Sequence, residues 1–276
     1  MEFSETEKGV FLGKGGLAKK YITQEAVTRA QAVLDEYSQT LRKYTIKQIV
    51  CVATEALRNA SNAKDVIDHL STDVPFKVDT IEGEKEAELI YYGVLSSGVL
   101  NHETSMIMDI GGGSVEFIVA NKEEIFWRKS YKAGISRSLE LYPLSNPPTK
   151  KEINTHQDYF KEKLGELTEI IQSHQVKHLI GTAGSFDSWR KIIDSSNSDT
   201  PTFEINQNEL LGIIQAIQES TIEKRSKIAG MEKMRVETIV PAGILVTYLL
   251  KSNTFNKITQ CSYSLSEGVL WQLLNN

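Results

Sequence analysis

The sequence predicts an α/β protein, on three observations. Up to residue 95, helical and strand patterns alternate, as in a sheet covered by helices. Residues 105–129 then read as three apolar strands in a row, a meander. Finally, two glycine turns, at 111–114 and 181–184, each follow an apolar strand.

The elements follow in order. Residues 9–13 (Gly-Val-Phe-Leu-Gly) read as a strand leading into Gly-Lys-Gly-Gly. Thr23 is an N-cap for a long helix, whose Val27, Ala30, Leu34, Tyr37, Leu41 and Tyr44 recur at steps of three and four. Residues 46–53 read as a buried parallel strand, Glu55–Leu70 as helix and Lys77–Ile81 as strand, with Pro75 between them. Gly83 introduces a helix from Glu84 to about Leu95. The meander is Ser105–Ile110, Val115–Ala120 and Ile125–Lys129. A helix runs from Thr149 to His174, then Val176–Ile180 is a strand ending in Gly-Thr-Ala-Gly before another helix. Residues 194–202 are a polar loop, and Asn206 with Glu209 forms a capping box for a helix to about Glu219. Val236–Leu250 is a helix carrying Pro241 and Gly243, Lys257–Ser262 a strand, and Glu267–Leu274 a last helix. The domain boundary is expected at 95–104: a first domain 1–95, joined by the C-terminal helix 267–276, and a second domain 105–266.

Composition narrows the classes. With 276 residues, 40% hydrophobic and 24% charged, the chain is an ordinary globular protein rather than a disordered or fibrous one. No apolar run approaches the ~20 residues of a membrane span. The opening Met-Glu-Phe-Ser-Glu has no secretory pattern, and Cys51 and Cys261 are far apart, so a reducing cytoplasm is expected and a disulfide framework is not. A net charge of −5 argues against a general nucleic-acid binder, so a polyanion would need a local arrangement of groups.

The strongest signal is Met108-Asp109-Ile110-Gly111-Gly112-Gly113-Ser114-Val115-Glu116. Consecutive glycines are costly in backbone entropy and fit a place where backbone approaches a ligand; their N–H groups can nest an anion. With 111–114 as the loop, Asp109 opposes Glu116. Opposed carboxylates repel, and a divalent cation would remove the conflict; oxygen-only ligands suit Mg²⁺. An ordinary glycine-rich hairpin with an exposed acidic pair is the plainer alternative. In Gly83–Glu88, Ala87, Ile90, Tyr91 and Val94 form the buried stripe and Glu86 borders it. A carboxylate there is expensive to bury, which makes Glu86 a candidate general base. Glu82, Glu84 and Glu88 read as solvated acids near a helix start.

Arg58, in Ala53–Asn62, opens a helix after a strand and is a candidate phosphate contact, with a surface ion pair as the alternative. Gly181, Thr182 and Gly184 form a second strand–glycine–helix turn, a weaker phosphate signal. The five histidines show no ligand spacing, and Trp127, Trp189 and Trp271 read as packing. Lys150-Lys151 and Lys224-Arg225 read as solvated faces.

Together these segments resemble the Ppx/GppA phosphatases, the exopolyphosphatases and guanosine pentaphosphate phosphohydrolases. The matching pieces are Leu12–Gly16, Ala53–Asn62, Gly83–Ile90, Asp109–Glu116, Gly181–Ser185, Arg235 with Pro241-Ala242-Gly243, and Ser264–Leu270. The resemblance implies two ribonuclease-H-like domains of the actin-like ATPase superfamily flanking a cleft. It also implies Mg²⁺-dependent (or other divalent-cation) removal of a terminal phosphate from polyphosphate or pppGpp. Position by position, Glu86 resembles the water-activating carboxylate, Asp109 and Glu116 the acidic groups at metal and water, Gly111, Gly112, Gly113 and Ser114 the phosphate loop, and Arg58 a phosphate contact.

Lys85 and Ser266 depart from the pattern, standing where many members have Glu and Arg. The family's opening strand–loop–strand hairpin has no counterpart before Gly9, so a first domain lacking it is expected. The helical domains that follow in the family's long form have no counterpart either. Expected partners are polyphosphate or guanosine penta- or tetraphosphate and a second copy in a homodimer, with neither nucleic acid nor membrane. A non-catalytic sensor of the same ligands and an actin-like kinase using ATP are the competing classes.

Overall fold

The computed structural model describes residues 6–275 apart from 73, 183, 195 and 197–199. Met1–Glu5, Ala183 of the second glycine turn and part of the 194–202 loop lie outside the described residues. The chain divides into two compact units, Met1–Glu82 and Gly83–Asn276.

The first unit holds helix α1 (Gln24–Leu41), strand β1 (Cys51–Ala53), helices α2 (Glu55–Arg58) and α3 (Ala63–Leu70), and strand β2 (Val78–Thr80). Thr23 caps α1 as expected, its hydroxyl accepting from the Ala26 N–H at 3.3 Å. The core is Ile22, Ala26, Val27 and Ala30 against Leu57, Val66, Leu70 and Val78. β1 and β2 are parallel, with Cys51 opposite Val78, so the longer strand read over 46–53 forms only where it has a partner.

Residues 9–13 are not a strand. The Arg29 side chain donates to the carbonyls of Val10 (2.9 Å) and Phe11 (3.2 Å), groups a sheet would need, and the glycine-rich stretch after them turns back on itself. The helix read over 55–70 is broken at Asn62, whose side-chain amide clasps both backbone polar groups of Ile22, at 3.0 and 2.9 Å.

The second unit begins with helix α4 (Gly83–Ser96), then strands β3 (Ser105–Ile110), β4 (Val115–Ala120) and β5 (Ile125–Tyr131). Helices α5 (Ile135–Leu141), α6 (Lys150–Lys163) and α7 (Leu167–Ser173) lead to β6 (His178–Thr182) and α8 (Gly184–Ile193). There follow β7 (Thr202–Glu204), α9 (Gln207–Glu219), α10 (Ile222–Arg225), a 3₁₀ turn at Lys233–Arg235, α11 (Ile239–Ser252), β8 (Lys257–Cys261) and α12 (Leu265–Asn275). The strands form one mixed sheet in the order β5-β4-β3-β6-β8-β7. The meander is antiparallel as read, β3, β6 and β8 are parallel, and β7 adds an antiparallel edge.

The central strands β3, β4 and β6 are largely apolar because both of their faces are covered. Met106, Met108, Val115, Phe117 and Leu179 join the larger core with Phe160, Phe186, Trp189 and Ile244. Ile107, Ile118, Ala120 and Ile180 pack on Ala87, Ile90, Tyr91 and Val94 of α4. That burial places α4 in the second compact unit, which begins at Gly83. Trp271 of α12 stacks on Tyr92 of α4 with centroids 4.3 Å apart.

The two helices meet through glycines: a Cβ on Gly268 would lie 1.7 Å from the Leu89 carbonyl oxygen, and one on Gly93 1.9 Å from that of Ser264. Gly268→Ala should therefore cost about 3 kcal/mol or more, the upper end of overpacking. Urea unfolding measures it, and a loss below 1 kcal/mol (roughly one added methyl tolerated) would show that the helices can part.

Other differences have local causes. The helix read from 149 to 174 is two, parted around Gly165. Pro241 is tolerated because it is the third residue of α11, where the N–H has no partner within the helix. Arg225 is buried rather than solvated, donating to the carbonyls of Val236 (2.7 Å) and Ser220 (2.9 Å).

His178 is buried between Ser105 (3.1 Å from Nδ1) and Thr259 (2.8 Å from Nε2). Burial, with Lys257 adding to it, lowers its pKa from 6.5 to about 4. The fold thus favours neutral imidazole: the stabilisation is complete above 6.5 and is lost as pH falls through about 4. The total is about 3 kcal/mol at most. His178→Gln should flatten the acid limb of a stability–pH curve; an unchanged slope would contradict this.

Candidate active site

Pairing brings polar groups into one row across the sheet. Asp109 of β3 lies opposite Glu116 of β4, as the loop register predicts, and opposite Thr182 of β6. Glu116 in turn faces Ser130 of β5. Directly paired residues share a face, as do residues two apart along a strand, so Asp109 and Glu116 lie on the face of Ile107 and Ile118, which pack under α4. Glu86, in the first turn of α4, is therefore on the same side, buried at 6% exposure as its helical position predicts. Glu82 and Glu84 are exposed as expected. Glu88 instead pairs with Lys85 at 2.7 Å and with Arg128 of β5 at 3.1 Å, fastening α4 to the sheet beside Glu86.

The electrostatics of the row are unbalanced. Glu116 is 1% exposed. Desolvation, then the charges of Glu86 and Asp109, push its carboxyl well above the ordinary 4.5, against hydrogen bonds from Ser130 and Ser114 that favour the anion. The Ser130 hydroxyl donates at 2.6 Å. Asp109 is also raised by desolvation, but is held back by the Ser264 and Thr182 hydroxyls and by Arg235. Thr182 donates to Asp109 Oδ2 at 3.0 Å, and Ser264 donates to the same oxygen. The Arg235 guanidinium sits against Gly184, which opens α8 at φ +35°: a Cβ there would lie 2.8 Å from Arg235 Cζ.

The glycine loop is stitched to the start of α5. Gly111 O accepts from Ile135 N–H (3.1 Å), Gly112 O from Ser136 and Arg137 (2.9 and 3.1 Å), and Gly113 O from Gly134 (3.2 Å) and from Arg137 Nε (3.1 Å). Gly134 must be glycine, since a Cβ would lie 2.4 Å from the Gly112 oxygen. With the carbonyls of Gly111, Gly112 and Gly113 bound at the start of α5, and Gly111 N–H donating to the Ser114 carbonyl at 3.0 Å, the amides of Gly112, Gly113 and Ser114 are the donors suited to an anion. This long-range cap also explains why α5 is not visible in a sequence window.

The structure thus gathers Glu86, Asp109, Gly111–Ser114, Glu116 and Thr182. Gly181 pairs with Met108 on the other face, and a Cβ there would meet the Phe186 ring at 2.2 Å, a packing reason of its own. Arg58, in the first unit, donates to the Ile81 carbonyl at 2.5 Å. Sequence reasoning missed Ser130, Arg137, Arg235 and Ser264 as site residues. Ser130 was within reach had the third strand been read one residue further. Ser264 stands in a Ser-x-x-Glu pattern before a helix.

Burial first, and then the charges of Glu86 and Asp109, disfavour ionisation of Glu116, and carboxylate oxygens are the donors a divalent cation takes. Among the described residues no three such groups enclose a single point. A cation would accordingly be held by Asp109 and Glu116 and completed by water and ligand oxygens, the usual manner of Mg²⁺. No helix among the described residues is long and apolar enough to cross a membrane.

Residues 2–276 match the Ppx/GppA phosphatase family. A solved exopolyphosphatase from Cytophaga hutchinsonii is 33% identical, with a TM-score of 0.91 over 96% of this chain and 87% of that one. Exopolyphosphatase 1 of Mycobacterium tuberculosis is 21% identical over 99% of this chain and 80% of its own length. A bifunctional 3-dehydroquinate synthase/phosphatase of Fusobacterium nucleatum is 30% identical over 87% of this chain, which spans only 37% of that protein.

Proposed function

Since the chain belongs to the Ppx/GppA phosphatase family, we propose that it hydrolyses the terminal phosphoanhydride of a linear polyphosphate or of pppGpp. The observation that carries the reading is the convergence of buried Glu86 and Glu116 with half-buried Asp109, beside a glycine loop whose carbonyls are turned into α5. The similarity to exopolyphosphatases points the same way.

In this reading Glu86 orients a water and accepts its proton as the water oxygen bonds to the terminal phosphorus. The bond from phosphorus to the bridging oxygen breaks, and the shortened chain leaves as the anion. The N–H groups of Gly112, Gly113 and Ser114 hold the phosphoryl oxygens, and Arg235 adds positive charge near Asp109. Asp109 and Glu116 would hold a divalent cation such as Mg²⁺, which would neutralise phosphate charge when bound. Ser130 and Ser114 keep the Glu116 side chain in place. Arg58 is proposed as a phosphate contact on the resemblance alone.

Orthophosphate release from polyphosphate and from pppGpp, each with Mg²⁺ and with chelator, tests the proposal. Release from at least one substrate, abolished by chelator, is expected. Tight binding of both ligands with no release would replace hydrolysis by sensing, and phosphate transfer from ATP to an acceptor would indicate a kinase.

A further inference from the structure

Ser264 has the sequence position of a helix cap and does not use its hydroxyl as one. In Ser264-Leu265-Ser266-Glu267 the ordinary capping box is reciprocal: the serine hydroxyl bonds the amide three residues on, and the glutamate returns to the serine N–H. Here only the second half is made, Ser264 N–H donating to Glu267 Oε2 at 2.7 Å. The hydroxyl is turned away from α12 and donates to Asp109 Oδ2, the oxygen that also accepts from Thr182. Ser264 is 7% exposed and Thr182 fully buried, so water does not readily replace either donor. The Ser264 carbonyl, packed on Gly93 of α4, fixes the serine against the helix that carries Glu86.

We propose that Ser264, with Thr182, is a positioning residue: the two hydroxyls pin one oxygen of Asp109 and thereby aim the other at the divalent cation. A carboxylate held on one oxygen loses rotational freedom before it binds, and partners of this kind are worth about 10–100-fold in metal affinity. The inference rests on the cation reading given under Proposed function. It goes beyond that reading in assigning the start of α12 to the site.

Mn²⁺ binding to the full chain without phosphate, followed by electron paramagnetic resonance, tests it together with thermal unfolding in chelator. Ser264→Ala is expected to weaken Mn²⁺ binding about 10–100-fold while leaving Tm within about 2 °C, since the helix half of the box remains. Thr182→Val should weaken it by about tenfold or more and Thr182→Ser should restore it. Glu267→Ala, which removes only the helix half, should lower Tm by about 2–4 °C and leave affinity within twofold (roughly the worth of a lost cap). Undiminished binding in both Ser264→Ala and Thr182→Val, with wild type bound and Asp109→Asn not, overturns this inference alone. Wild-type binding that is absent, or that Asp109→Asn leaves unchanged, overturns the cation reading and this inference with it.

Discussion

Glu86→Gln is expected to lower turnover of the cleaved substrate by about 10²–10⁴-fold, the usual worth of a positioned proton acceptor. KM should change little, because the glutamine keeps the shape and leaves the glycine loop intact. The reasoning starts from burial. A carboxylate at 6% exposure in the first turn of α4 is unfavourable in desolvation, and it lies close enough to Glu116 to raise that group's pKa. Glutamine removes the charge and should make the protein no less stable. A variant that is well folded, binds substrate normally and turns over poorly is the expected signature. Wild-type rates from it would remove Glu86 from the mechanism.

Glu116→Gln should raise thermal stability in chelator at neutral pH and abolish release of phosphate. The carboxyl of Glu116 is raised in the folded state, so its contribution is fully present below 4.5 and is lost as pH rises through the higher folded value. At neutral pH the ion-free fold is therefore burdened at Glu116, either by a buried charge or by the proton taken up to remove it. Glutamine can still accept from Ser130 and carries no charge. Wild type should gain stability when Mg²⁺ is added; Glu116→Gln should gain much less. Differential scanning calorimetry with and without Mg²⁺ reads both effects. A variant less stable than wild type in chelator would mean the carboxylate is well compensated.

Both effects were partly legible in the sequence. The hairpin register around Gly111–Ser114 follows from its length, and it alone opposes Asp109 to Glu116. The period of α4 places Glu86 at the edge of the apolar stripe. What local patterning does not carry is the third dimension of the row. Thr182 and Ser264 reach Asp109 from 73 and 155 residues away, through a parallel strand pair and a helix start. Arg235 comes from a 3₁₀ turn with no periodicity to announce it.

The first unit was read less well for a related reason. Its apolar runs at 9–13 and 46–53 have strand composition, but a strand needs a partner for its backbone groups. Only Cys51–Ala53 finds one, and Arg29 takes two carbonyls of the other. The helix at 149–174 was over-extended because apolar periodicity continues across Gly165 while the backbone turns.

Polyphosphate hydrolysis in ¹⁸O-labelled water, with mass analysis of the released orthophosphate, bears most directly on the central claim. Each orthophosphate should carry one solvent-derived oxygen, and the labelled product should fall with Glu86→Gln as the rate does. Unlabelled phosphate, or no phosphate from a protein shown to bind the polymer, would contradict attack by a water held at Glu86.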